Sequence, residues 1–265
     1  MIHPTAIVES GARLGANVQI GPGAYIAPTA VIGEGCILGP HAVVLDHVTL
    51  GNHCKLHAGA VIGDLPQDLS FSGEPSYVVT GDHCTFREGV TVHRGTKPGS
   101  TTQLGSHVFM MANSHVAHNC AVGDHVIMAN GVLLAGHVAI GDRVFMGGSS
   151  AVHQFCNIGR LAMIGAMGAI IKDVPPFCIT ATLEASTVYG LNLIGLRRAG
   201  LEPAERDQIK QAFDILYRSG LNVTQAKAAL RTDTANLFSA EYADFLEKTT
   251  RGICRYRFAD HASND

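Results

Sequence analysis

The sequence predicts a mainly β fold, a parallel β-helix of hexapeptide repeats followed by a C-terminal α-helical domain. Three observations carry that prediction: an unbroken six-residue aliphatic period, a composition rich in glycine and small aliphatic residues, and a switch to helical periodicity in the last quarter of the chain. Every sixth residue from Ile2 through Val8, Leu14, Ile20, Ile26, Ile32, Leu38, Val44, Leu50 and Leu56 to Ile62 is Ile, Leu or Val. Four positions after each stands a small or modest residue, as in Ala6, Ala12, Ala24, Ala30, Cys36, Ala42, Cys54 and Ala60. The same phase returns at Thr80, Phe86 and Val92 and then runs from Leu104 to Ile170. Each hexad reads as one short strand and a turn, three hexads close one coil, and stacked rungs lie ~4.8 Å apart. A rung buries its aliphatic residue only against its neighbours, so the stability of such an array grows with its length.

The 265 residues include 46% hydrophobic types, 30 glycines, 6% aromatics and no tryptophan, which suits repetitive packing better than a bulky aromatic core. Nineteen basic and 22 acidic residues leave a net charge of −3 and no long basic block, so nucleic acid is not an expected partner. Aliphatic stretches are interrupted well before the ~18 residues that a span requires, and Met1-Ile2-His3-Pro4 leads straight into hexads without an export signal. The expectation is a cytoplasmic protein with no stable membrane insertion.

Two segments leave the period, near 67–79 and 97–103, and both are rich in turn formers. Loops that project from a rigid solenoid commonly carry function. After Asp173-Val174-Pro175-Pro176 the period changes. Pro203 opens a helix with Ile209, Ala212, Phe213, Leu216 and Tyr217 on its apolar face, ending before Gly220, and weaker patterns run through Ala226 and Leu230 and around Tyr242, Phe245 and Leu246. The division expected is therefore a β-helix over 1–189 and a helical domain over 190–265, the latter capping the open end of the solenoid.

Cys36, Cys54, Cys84, Cys120 and Cys156 fall on the small inward position and read as core thiols, and no CxxC pair suggests a structural zinc site. Most of the fourteen histidines read as solvated turn residues. One column differs: His118 is third in the hexad of Val116, Gly136 and His137 are third and fourth in that of Leu134, and His153 and Gln154 are second and third in that of Val152. These residues should line one edge on adjacent rungs. Two chemistries fit them: metal binding of the carbonic anhydrase type, or acid–base catalysis with one imidazole as base and a bare glycine N–H facing an oxyanion.

The wider sequence separates the two. Asn113-Ser114-His115-Val116-Ala117-His118-Asn119-Cys120, Leu134-Ala135-Gly136-His137-Val138, Ala151-Val152-His153-Gln154-Phe155-Cys156 and Asp173-Val174-Pro175-Pro176 closely resemble the UDP-N-acetylglucosamine O-acyltransferase family. So do Gln67-Asp68-Leu69, Gly73-Glu74-Pro75, Thr91-Val92-His93-Arg94-Gly95-Thr96 and Gly195-Leu196-Arg197-Arg198, so the resemblance covers essentially the whole chain. It implies a left-handed parallel β-helix, a homotrimer with active sites between subunits, and the first step of lipid A biosynthesis. In that reaction an (R)-3-hydroxyacyl group passes from acyl carrier protein to the 3-hydroxyl of UDP-N-acetylglucosamine, with no metal and no cofactor. It further implies His118 as general base and the Gly136 N–H as oxyanion donor. Asp68, His115, His137, Gln154 and Arg198 would contact the nucleotide sugar, with His153 near the acyl chain and Asn192 near pantetheine or nucleotide. Ala166 and Met167 would measure chain length.

The chain also departs from the family pattern. Asn119 stands where an Asp often follows the base, Ser70 where a lysine is usual, and Ala199 where a second arginine is common. The departures keep three other readings in view: acylation of a 3-amino UDP-sugar, a carbonic anhydrase-type metalloenzyme, and a trimeric scaffold with a degenerate site. A related amine acyltransferase family carries an extra domain before its hexads, whereas here hexads start at Ile2, which disfavours it. Lys55, Arg87, Arg94 and Arg143 are available to an acidic carrier protein but receive no assignment.

Overall fold

A computed structural model describes residues 1–257. The hexads wind into a left-handed parallel β-helix whose three faces are sheets of nine, eight and eleven strands. Consecutive strands lie on different faces, so each pairs in register with the strand one coil on: Ile7 with Tyr25, Val43 with Val61, His115 with Leu133. The first face runs from Ile7–Val8 to Ala169–Ile170, the second from Arg13–Leu14 to Asn157–Ile158, and the third begins at Gln19–Ile20. We call the turns leading out of these faces the first, second and third corners.

Side chains of the aliphatic period point inward and are almost wholly buried, among them Ile26, Leu38, Val44, Leu56, Met110 and Ile164. Burying each contributes roughly 1.5–3 kcal/mol, a gain that exists only when the next coil is in place. Ile2, below the first complete coil, remains half exposed. All five hexad cysteines are buried beside this column, and burial pushes the thiols of Cys120 to about 12 and Cys156 to about 11, so both stay protonated.

The corners explain the histidine content. The fourth hexad residue turns the chain with φ between 55° and 60° at Asn17, His41, His53, His83, His107, Asn113, His125 and His137. That left-handed region favours Gly, Asn and His over branched residues. At the second corner the rings of His53, His83, His107 and His125 stack at centroid spacings of 5.0, 4.9 and 4.6 Å.

Both excursions leave from the first corner on adjacent coils, between the strands Val61–Asp64 and Tyr77–Thr80 and between Thr91–His93 and Thr101–Leu104. They are shorter than the sequence suggests. Tyr77, Val78 and Val79, and likewise Thr101, Thr102 and Gln103, are already strand, because the two segments extend each other's ladder from Tyr77↔Thr101 to Thr80↔Leu104. In the second excursion Pro98 and Gly99 (φ 72°) make the turn closed by Ser100 N–H donating to Lys97 C=O at 2.9 Å.

The third face continues past the hexads. Cys178–Thr180 adds in parallel, Thr187–Leu191 returns antiparallel, and Arg255–Tyr256 pairs with it. This hairpin and terminal strand lie outside the hexad phase, which is why periodicity did not announce them. The helices are α1 (Leu193–Arg198), α2 (Pro203–Tyr217), α3 (Val223–Thr232) and α4 (Ser239–Lys248). Capping boxes at Glu202/Glu205 and Asn222/Gln225 start α2 and α3. Phe177 sits against Phe238 and Tyr242, while Arg160 stacks on Phe177 at 4.7 Å and holds Glu241 at 2.6 and 2.8 Å, fixing α4 to the last coils.

Asp173 closes the structure. Fully buried, it accepts from Asn157 N–H at 2.7 Å, Asn157 Nδ2 at 3.2 Å and the Thr249 hydroxyl, and its backbone bonds Gly252 and Cys254. Replacing it with alanine leaves Asn157 and Thr249 without this acceptor, so Asp173→Ala is expected to lower unfolding free energy by about 2–3 kcal/mol. Denaturant titration tests the loss, and limited proteolysis should show earlier cleavage in the chain after α4. An unchanged midpoint would refute the latch.

Candidate active site

Register places His118, Gly136 and Gln154 in one column at the first corner, because His115 pairs with Leu133 and Leu133 with Ala151. Asp68 joins them from the first excursion. A groove of about 650 Å³ opens along the first face beside this column, lined among others by Gln67, His115, His118, Gly136 and Gln154. Its floor of Ala117, Leu133, Ala135 and Ala151 is apolar. A second groove of about 580 Å³ lies between the second face and α4; it contains the Arg160–Glu241 pair but no histidine.

His118 is 8% exposed and is held from one side. Its Nδ1 lies 3.0 Å from Asn119 Oδ1, the oxygen that also accepts from Thr96 N–H at 3.1 Å and the Thr96 hydroxyl at 2.9 Å. An amide oxygen is only an acceptor, so Nδ1 carries the proton and Nε2 presents its lone pair to the groove. Asn119 itself is in the left-handed region, φ 60°, and its N–H donates to the Thr102 hydroxyl at 2.8 Å. The amide thus reproduces the orienting contact of a carboxylate without its charge.

That charge comes from elsewhere. Asp68 Oδ2 lies 3.7 Å from His118 Nε2, while Oδ1 accepts from Ser70 N–H and hydroxyl, both at 2.8 Å. These bonds, and then the nearby His118 and His137, hold the carboxyl below its ordinary range, so it is ionised. Ser70, met in the sequence as the loss of a lysine, is the residue that secures Asp68.

Gly136 meets a steric requirement: a methyl group there would overlap Cε1 and Nε2 of His118. Its position also frees an amide. At the second corner the equivalent N–H groups of Asn52, Ser106 and Asp124 are taken by Asp82, Asp124 and Asp142 at 2.7–2.8 Å. Among the described residues the Gly136 N–H has no such acceptor.

The surrounding imidazoles are kept neutral. His137 sits edge-on to His118 at 5.3 Å and stacked on Phe155 at 4.8 Å, and burial lowers its pKa. His93 is buried, likewise lowered by burial, and edge-on to His115. His115 bonds the Thr91 hydroxyl at 2.7 Å, and burial, followed by His93 and His118, pushes it down to about 4. Among the described residues no set of three His, Cys, Asp or Glu side chains is arranged to hold a metal ion.

The sequence-derived set divides. Asp68, His115, His118, Gly136, His137, His153 and Gln154 share the first face and corner, His153 with its Nδ1 3.2 Å from Gln154 C=O. Asn192 does not join them. It caps α1 by accepting from Gly195 N–H at 3.0 Å and donates Nδ2 to Leu161 C=O at 2.9 Å, on the second corner. Both ends of that amide serve to dock α1 on the second corner. Arg198, exposed on α1, shares that location, and Ala166 and Met167 stand exposed at the third corner. Arg94, considered for a basic surface, is instead 8% exposed with its guanidinium 5.5 Å over the Phe71 ring. Sequence reading missed the roles of Thr96 and Ser70; Thr96 stood within a family motif without an assignment, and Ser70 read only as a lost lysine.

Comparisons with known proteins bear on the family and the fold. A family profile described as Udp N-acetylglucosamine O-acyltransferase, Domain 2, matches residues 173–254, and one described as Bacterial transferase hexapeptide (six repeats) matches residues 29–64 and 101–136. A relative from Anaeromyxobacter sp. (strain Fw109-5), named acyl-[acyl-carrier-protein]--UDP-N-acetylglucosamine O-acyltransferase, is 44% identical over 96% of this chain and 99% of its own length. The solved UDP-N-acetylglucosamine acyltransferase of Francisella novicida superposes with a TM-score of 0.93 at 35% identity, covering 96% of this chain and 94% of that one. That of Campylobacter jejuni gives 0.90 at 36%, covering 97% and 100%.

The displaced pKa of His115 has a consequence for stability. The unfolded imidazole, near 6.5, takes up its proton before the folded one, at about 4. The stabilisation tied to neutral His115 is therefore intact above pH ~6.5 and lost as pH falls towards ~4. Thermal midpoints should fall across that window more steeply in the wild type than in His115→Gln; parallel curves would show that the group is not responsible.

Proposed function

The chain belongs to the UDP-N-acetylglucosamine O-acyltransferase family, and we propose that it uses His118 as the base that transfers a 3-hydroxyacyl group from acyl carrier protein to the sugar 3-hydroxyl of UDP-N-acetylglucosamine. As a member, it is an acyltransferase of the first step of lipid A biosynthesis. The relatives lend no support to the metalloenzyme, the 3-amino-sugar or the scaffold alternative. The observation that carries the mechanism is an imidazole pinned at Nδ1 with Nε2 open to the groove, next to a glycine N–H without an acceptor.

In this reading Nε2 takes the proton of the 3-hydroxyl as its oxygen attacks the thioester carbonyl carbon. The carbonyl oxygen becomes an anion, which the Gly136 N–H stabilises. Collapse breaks the carbon–sulfur bond, the pantetheine thiolate departs, and the imidazolium returns the proton to it. Asp68 faces Nε2 across 3.7 Å and stabilises the imidazolium while it exists. The neutral His115, His137 and Gln154 suit hydroxyl and amide groups of the sugar, and Ala135 and Ala151 leave room for the acyl chain. In-register pairing of Ala151 with Ala169 carries the small-residue floor one coil further, towards the corner of Ala166 and Met167.

In this reading a second copy of the chain supplies Arg198, which α1 carries at the second corner and not in the first-corner column of its own chain. The α1 surface suits that contact: Leu193 and Ile194 are 53% and 57% exposed beside Arg197 and Arg198. The assembly proposed is a homotrimer acting in the cytoplasm, a reading supported by the family resemblance. Among the described residues no helix is long and apolar enough to cross a membrane.

His118→Ala is expected to lower kcat by about 10²–10⁴ on 3-hydroxyacyl carrier protein and UDP-N-acetylglucosamine, with one acyl length preferred in the wild type. Arg198→Ala should mainly raise KM for the nucleotide sugar. Unfolding the two variants together and refolding them should restore part of the activity, because mixed assemblies regain intact sites. Activity indifferent to His118 would overturn the mechanism, and absence of complementation would place Arg198 in the same site as its own His118.

A further inference from the structure

We propose that Thr96 is a positioning residue that sets the tautomer of His118, a task that exists because an amide rather than a carboxylate stands at residue 119. The inference rests on the reading of His118 as base and names the residue on which that base depends.

A carboxylate presents an acceptor oxygen whichever way it rotates, so it orients a neighbouring imidazole without help. An amide has an accepting end and a donating end. With Oδ1 towards Nδ1 of His118, the imidazole carries its proton on Nδ1 and Nε2 is a base. With the NH2 group there instead, Nδ1 must accept, the proton moves to Nε2, and the nitrogen facing the groove can no longer take a proton from a hydroxyl. The direction of the Asn119 amide therefore decides whether His118 is active.

Three contacts meet at Asn119 Oδ1: His118 Nδ1 at 3.0 Å, Thr96 N–H at 3.1 Å and the Thr96 hydroxyl at 2.9 Å. The backbone N–H can only donate, so an amide turned the other way would set NH2 against N–H. Thr96 is 8% exposed, so water does not readily replace these donors. Its place is fixed by the turn through Lys97, Pro98, Gly99 and Ser100, where Lys97 N–H donates to Ser100 Oγ at 2.9 Å, and by Arg94 N–H donating to Asp64 C=O at 3.0 Å. The second excursion thus acts on His118 through one amide.

The test is a double-mutant cycle read by kinetics and by nuclear magnetic resonance. Thr96→Val removes the hydroxyl donor and should lower kcat about three- to tenfold, the worth of one hydrogen bond, with KM within about twofold. Thr96→Ser, which keeps the donor, should stay within about twofold of wild type. In an Asn119→Asp background, where either oxygen accepts, Thr96→Val should cost less than about twofold. Long-range nitrogen–proton spectra of histidine-labelled protein should show His118 protonated at Nδ1 in the wild type and a raised Nε2–H fraction in Thr96→Val. Equal losses in both backgrounds, or an unchanged tautomer in Thr96→Val, would overturn the proposal. Wild-type protein without turnover would instead refute the acyltransferase mechanism, while the spectra would still decide the role of Thr96.

Discussion

One constraint governs this molecule: each coil must repeat the one below it in register, about 4.8 Å away, because an isolated rung has nothing against which to bury its aliphatic residue. Residues of equal hexad position then become vertical neighbours. At the second corner this produces a ladder in which Asn52, Asp82, Ser106, Asp124 and Asp142 each receive the N–H of the coil before. At the first corner the same geometry brings His118 over Gly136 and Gln154, and there the ladder stops. Gln154 does not accept from Gly136, and the amide left over is the one proposed to receive the oxyanion.

The histidines show how a scaffold residue and a working one can share a type. Those at the fourth hexad position answer a backbone requirement, since the left-handed turn tolerates imidazole well and stacking on the next ring rewards it. His137 belongs to that set by backbone and to the groove by location. His118 occupies the third position, where no such requirement exists, and its surroundings are organised about its two nitrogens. Asn119 and Thr96 hold one; Asp68 and the groove face the other.

Both excursions leave the first corner on the coils just before His118, and the site depends on that adjacency. The first delivers an ionised carboxylate braced by Ser70, and the second delivers the donors that direct the Asn119 amide. Arg94, at the root of the second, lies over Phe71 of the first and joins them. On the proposed mechanism, a base in need of a fixed tautomer and a stabilised imidazolium draws each from a different insertion, while the β-helix supplies only the platform and the glycine.

Much of this was legible in the residues themselves. A six-residue period is a local property repeated many times, so coil, core, inward cysteines and the His118–Gly136–Gln154 column follow from counting, and α2 follows from Pro203 and its apolar face. The family motifs added handedness and chemistry. Contacts that join segments far apart in number were settled only by the fold: Asp173 with Thr249, Arg160 with Glu241, and Thr96 with Asn119. The same holds for the Asn192 amide, which docks α1 on Leu161. Periodicity encodes neighbours one coil away because stacking makes them equivalent; it carries no information about where an insertion folds back or which polar atom a buried amide will meet, since those depend on the shape of the whole chain.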